Sequence, residues 1–236
     1  MRANIHEFVF GIYPYICASI FLIGSLIRFD REQYTWRSGS SQLLRARQLR
    51  WGSNLFHIGV LFLFFGHFVG MLTPHFAYAW LISAGGKQVL AMVSGGTAGL
   101  ICFVGLTILL HRRLTDPRIR ATSSMMDIAI LAILWVQLVL GLVTIPFSGQ
   151  HLDGSTMIML AEWAQHIVTL RRDAASLVVD VPWVFKLHMA LGMTIFLLFP
   201  FSRLVHVWSA PIWYVFRNYQ VVRARGNGRG AMRARP

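Results

Sequence analysis

Residues 52–72 read GSNLFHIGVLFLFFGHFVGML, twenty-one positions without an Asp, Glu, Lys or Arg. A helix needs about 20 predominantly apolar residues to cross a bilayer, so this stretch predicts a transmembrane helix. It also carries two histidines, His57 and His67. Imidazole is costly in hydrocarbon, and a histidine there is a functional candidate by default.

Four further segments have the same character: Phe8–Ile27, Val89–His111, Met126–Ile145 and Trp183–Val207. The last holds a second histidine pair, His188 and His206. The chain of 236 residues is 56% hydrophobic and only 13% charged, with mean hydropathy +0.56. A soluble domain carries roughly a quarter charged residues. The class is therefore all-α, an integral membrane bundle of five helices. The ten-residue alternation of barrel strands is absent from the sequence. Arg2 before the first segment resembles the start of a signal peptide. The long apolar run, the lack of a small-x-small site and the following Arg28 and Arg31 argue for a retained helix instead.

Twenty of the 22 basic residues are arginine, and they cluster. Residues 28–51 hold Arg28, Arg31, Arg37, Arg45, Arg47 and Arg50; residues 112–120 hold Arg112, Arg113, Arg118 and Arg120; six more follow from position 217. Connection 73–88 has one basic residue, Lys87, and connection 146–182 has Arg171 and Arg172 against four acids. The positive-inside bias predicts five crossings of the cell inner membrane with the N-terminus outside and the C-terminus cytoplasmic. It accounts for the net charge of +13 without nucleic-acid binding. Residues 1–225 form the predicted membrane domain. The Arg/Gly-rich tail 226–236 is expected to be disordered and to lie on anionic lipid.

Proline marks the predicted ends. Pro182 suits the first turn of the fifth helix, Pro146 is expected to close the fourth, and Pro200 is expected to kink the fifth. The segment Ser155–Val168 reads as an amphipathic helix over the outer face. Tyr13, Tyr15, Trp80, Trp183 and Trp208 fall near predicted interfaces.

Helical geometry then restricts what the histidines can do. His57 and His67 are separated by about 15 Å along an axis, and His188 and His206 by about 27 Å on one face. Two ligands of one metal must lie within about 4 Å of each other. Neither helix can supply both, so each metal would take one ligand from the second helix and one from the fifth. These helices run in opposite directions, which pairs His67 with His188 near the outer face and His57 with His206 near the cytoplasmic face. Tilt and the Pro200 kink must reconcile the unequal spacings. Two non-covalent b-type haems are the expected cofactors. There is no C-x-x-C-H motif for covalent attachment, and the only cysteines, Cys17 and Cys102, cannot hold a cluster.

Gly59, Gly66 and Gly192 leave room for a flat macrocycle or, equally, allow close helix packing. Arg112 and Arg203 lie at the depth of the inner pair, as partners for haem propionates or as snorkelling cations. His6, His75, His151 and His166 read as solvated, and His111 as a helix-end histidine beside Arg112 and Arg113. Residues alone leave three further readings open: a dihaem anchor of a sulfur or heterodisulfide reductase, a histidine-using transporter, and a structural anchor.

Five stretches narrow the choice: Asp30–Trp36 with Ser40–Gln42, Ser53–Pro74, RRLTDPRIRA at 112–121, GLVTIPFSGQHLDG at 141–154, and LHMALGMTIFLLFPFSRLVHVW at 187–208. In these the chain resembles the γ subunits of respiratory nitrate reductases, the dihaem cytochrome b family. The resemblance implies axial ligation by His57, His67, His188 and His206, and a quinol site near the outer haem formed by Lys87, Gly66 and His67. It implies electron transfer from quinol to a cytoplasmic iron–sulfur (β) subunit. Nitrate chemistry would then sit on a molybdenum-containing catalytic (α) subunit.

Overall fold

The computed structural model describes residues 2–32, 34, 44, 46–150 and 152–209. His151, much of the first arginine-rich loop (including Arg37, Arg45 and the 40–42 motif) and the tail lie outside the described residues. So do the expectations placed on them.

Five helices are long and apolar enough to cross a membrane, and the described residues contain no strand. They are α1 (Ile5–Arg31), α2 (Ala46–Leu72), α3 (Ala84–Thr115), α4 (Met125–Ser148) and the span Trp183–Phe201, whose α-helical part is α6 (Trp183–Leu198); α5 (Ser155–Val168) is the shorter helix between α4 and α6. The ends have side-chain causes. The Ser83 hydroxyl accepts from the Gly86 amide to start α3, and Ser124 with Asp127 forms a reciprocal capping box at α4. Gly154 precedes α5 at φ +83°, a left-handed conformation, and a Cβ there would stand 2.6 Å from the Ala84 carbonyl carbon.

α2 packs on α3, α3 on α4, α4 on α6 and α6 on α1, while α2 and α6 do not pack closely. The tight α2–α3 seam is made by small residues. A Cβ at Gly59 would stand 2.5 Å from Cys102 Cβ, and one at Gly105 would collide with the Phe56 amide. Close backbone approach of this kind drives helix association where lipid offers no hydrophobic gain. Of the two roles open to Gly59, the structure selects packing.

α5 lies across the end of the bundle where α1 begins and α2 finishes. Trp163 donates its indole N–H to the Phe10 carbonyl at 2.9 Å, and Gln165 donates to the Met71 carbonyl at 2.9 Å. Phe10 belongs to a π-helical turn, Phe8–Ile12, within α1. At the opposite end Arg113 donates to Ser123 Oγ at 2.7 Å and Arg112 to the Leu44 carbonyl at 2.7 Å. The two ends thus differ in charge, one rich in arginine and the other carrying Lys87. Large apolar side chains such as Leu26, Phe65 and Val93 are exposed around the bundle, a surface suited to lipid rather than water.

The structure corrects two expectations about proline. Pro146 does not close α4, which continues through it to Ser148. The fifth span is broken rather than kinked. α6 ends at Leu198, a 3-10 turn covers Phe199–Phe201, Ser202 is extended, and a second 3-10 stretch runs Arg203–Ser209. Two expectations about histidine also change. His6 is half-buried and bonds the Ala175 carbonyl at 2.8 Å, and His166 pairs with Asp173 at 3.0 Å rather than standing in solvent.

Candidate functional site

The four histidines meet across the gap between α2 and α6. The ring centres of His67 and His188 are 6.2 Å apart, and those of His57 and His206 are 6.3 Å apart. A metal–imidazole bond of about 2.0–2.1 Å puts a ring centre about 3.2 Å from the metal, so a metal held between two rings sets the centres about 6.4 Å apart. Both pairs have that spacing. α2 is helical throughout, so the pairs sit at depths about 15 Å apart.

The tautomers suit ligation. The Nδ1–H of His57 donates to the Ser53 carbonyl at 2.7 Å, that of His67 to Leu63 at 2.8 Å, and that of His206 to Arg203 at 2.6 Å. A ring tied down through Nδ1 leaves Nε2 with its lone pair outward, and such a bond raises ligand basicity. His188 is held differently. Its ring lies on Gly141, where a Cβ would stand 3.0 Å from Cε1, and Gln137 of α4 donates to its backbone carbonyl at 3.0 Å. His188 Nδ1 and Gln137 Oε1 are both buried without a hydrogen-bond partner among the described residues. No cluster of three or more metal-binding side chains occurs among the described residues. Each pair presents two imidazole donors across the gap, a donor set that would fit a b-type haem.

Near the His67–His188 pair, the Lys87 ammonium donates to the Gly70 carbonyl at 2.9 Å and lies 3.7 Å from the centre of the Tyr78 ring. The lysine thereby satisfies an unpaired carbonyl of the last turn of α2, one turn beyond His67. Burial pushes the Tyr78 hydroxyl above its usual value, so a neutral aromatic face lies under the cation. A Cβ at Gly66 or Gly70 would meet nothing within 4 Å, which leaves open space beside His67. Gly192 is different: a Cβ there would stand 3.1 Å from Gln137 Nε2, so it makes room for the glutamine.

At the other pair, Arg203 Nε lies 3.0 Å from Asp127 Oδ1 and Arg113 Nη1 lies 3.8 Å from Asp127 Oδ2. Arg203 is thus adjacent to the site and ion-paired. Arg112 is buried and directed to the Leu44 carbonyl, the loop side of its helix. Gln137, Gly141, Tyr78 and Asp127 were not among the site residues expected from sequence. Asp127 had a signal as an acid just inside a predicted span, and Gly141 as the first residue of the stretch 141–154.

The fold defines a multi-pass helical membrane protein with two imidazole pairs stacked between facing helices. Comparison with known proteins is more specific. The family model described as nitrate reductase gamma subunit matches residues 6–225, and the chain belongs to that family. It is 56% identical over 225 residues to the respiratory nitrate reductase 2 gamma chain of Escherichia coli (strain K12), covering 95% of this chain and all of that one. It is 53% identical over 221 residues to the respiratory nitrate reductase 1 gamma chain of the same organism, covering 94% of this chain and 98% of the relative. It is 40% identical over 222 residues to the nitrate reductase gamma chain of Bacillus subtilis (strain 168), covering 93% of this chain and 98% of the relative. The chain is therefore a subunit of a nitrate reductase complex, which sets aside the sulfur-reductase anchor and the transporter.

Proposed function

We propose that this chain is the quinol-oxidising dihaem subunit of its complex, carrying electrons from quinol at the outer face of the inner membrane to a cytoplasmic iron–sulfur partner. The observation that carries the proposal is the matched spacing of the two histidine pairs, 6.2 and 6.3 Å, at two depths. Two bound b-type haems would supply one-electron carriers in series. His67 and His188 would hold the outer one, and His57 and His206 the inner one.

The protein's own residues supply the rest. Lys87 presents a fixed positive charge at the outer end, where a quinol oxygen gains negative character as its proton leaves. Gly66 and Gly70 keep the approach to His67 open for a flat ring. Protons released there stay outside, because the arginine-rich end faces the cytoplasm. Only electrons cross, so oxidation of quinol separates charge. Arg203, neutralised by Asp127, stands beside the inner pair as a partner for a propionate. The cytoplasmic iron–sulfur subunit docks at the arginine-rich end, and a molybdenum-containing subunit beyond it reduces nitrate.

A dithionite-reduced minus oxidised spectrum with pyridine haemochrome quantitation tests this directly. Two b haems per chain are expected. Folded protein without haem would refute the electron-transfer role.

A further inference from the structure

His206 meets His57 from beyond the break in the fifth span. A continuous helix would put His206 about 27 Å from His188, whereas the partners on α2 are about 15 Å apart. The break leaves carbonyls of the buried residues Pro200 and Ser202 outside a regular helix, where an unsatisfied carbonyl is costly. Both accept from a single nitrogen, Arg28 Nη1, at 2.6 and 2.9 Å. Arg28 belongs to α1, more than 170 residues away in sequence.

The same face of α1 is shaped for the break. Gly24, one turn before Arg28, lies against the proline ring: a Cβ there would stand 2.9 Å from Pro200 Cγ. Phe21 packs edge-on against Phe196 and Phe199 with ring centres 5.3 and 4.8 Å apart. Phe21, Gly24 and Arg28 follow helical spacing on one stripe. Beyond the break, Ser202 Oγ donates to the Phe199 carbonyl at 3.0 Å and accepts from the Leu204 amide at 3.2 Å. His206 is then fixed to its own turn through the Arg203 carbonyl.

We infer that Arg28, seated by Gly24, is a positioning residue that sets where the broken end of the fifth span presents His206 to His57. This rests on the reading that those two histidines hold one iron. Arg28 donates to the Pro200 and Ser202 carbonyls and acts through that backbone. Its charge also serves topology, but topology requires no hydrogen bond to a particular carbonyl and no glycine at position 24.

The test uses the whole complex with Arg28→Ala, Arg28→Lys and Gly24→Ala, read by low-temperature electron paramagnetic resonance and redox titration of the haems. His206→Ala and His67→Ala assign the two signals. In Arg28→Ala and Gly24→Ala, the signal lost in His206→Ala should shift or lose occupancy while the signal lost in His67→Ala stays in place. Arg28→Lys keeps a donor within reach of both carbonyls and should return the signal towards wild type. Gly24→Ala retains the arginine and its charge, so it decides the matter even if Arg28→Ala does not accumulate. Unchanged signals, or equal movement of both, would overturn the inference. Wild-type complex without haem in this chain, or His206→Ala with both haems, would instead refute the ligand assignment beneath it.

Discussion

The two histidine pairs have nearly equal ring spacing but different construction. His67 and His188 both stand on regular α-helix, and His188 is held from outside by Gln137 and Gly141 of α4. His206 stands on a 3-10 stretch after a break and depends on Arg28 of α1 and Asp127 of α4 for its surroundings. The ring planes meet at 42° in the first pair and 78° in the second. One position is thus specified by helix packing and the other by satisfied backbone polar groups. The first draws its support from the neighbouring α4, the second from a cation on the distant α1.

The largest effect should come from removing a ligand of the first pair. His67→Ala or His188→Ala should eliminate one haem of two and abolish quinol oxidation. Retention of both haems by pyridine haemochrome would show that the pairing is wrong.

Overfilling the helix seam should come next, without regard to which pair is read. Gly59→Leu cannot fit against Cys102 and should cost at least the 1–3 kcal/mol typical of overpacking, so both haems should be lost together with thermal stability. A variant with wild-type melting behaviour would mean that α2 and α3 can separate at no cost.

Gln137→Leu sharpens the contrast between the pairs. It removes the hold on His188 and should weaken haem retention or activity by roughly 10–100-fold, as for other groups that orient metal ligands. Occupancy of the His57–His206 site should not change. Equal loss at both sites, measured by haem content and spectrum, would indicate a general packing role.

Lys87→Ala should lower quinol oxidation by about tenfold or more, in keeping with the 1.5–3 kcal/mol of a charged hydrogen bond, and leave both haems in place. Steady-state quinol kinetics alongside haem content would check this. Unaltered kinetics would confine Lys87 to tethering α2. Ser53→Ala should do least, within about 0.5 kcal/mol, because His57 Nδ1 already bonds the Ser53 carbonyl, which the substitution keeps. A lost inner haem in that variant would reassign the bond that holds His57.

Hydropathy, charge bias and the four intramembrane histidines are properties of local composition, and they add up along the chain whatever its neighbours are. For that reason the five spans, the helical class, the span of α5 and the approach of the second and fifth spans' histidines were all legible without coordinates. The family was legible too, because its motifs are contiguous. What coordinates decided depends on atoms brought together from distant positions. Whether Gly59 makes room for a cofactor or for α3 is a question of which backbone lies within 3 Å of a missing Cβ. Whether Pro200 kinks or breaks a helix depends on who satisfies the freed carbonyls, and the donor is Arg28, on the first helix. Gln137 looks like an ordinary α4 residue, and Gly141 like a motif residue without a task, until His188 is seen to lie against them. A sequence carries the cost of an unsatisfied carbonyl or a crowded Cβ, but only the folded chain names the partner that removes it.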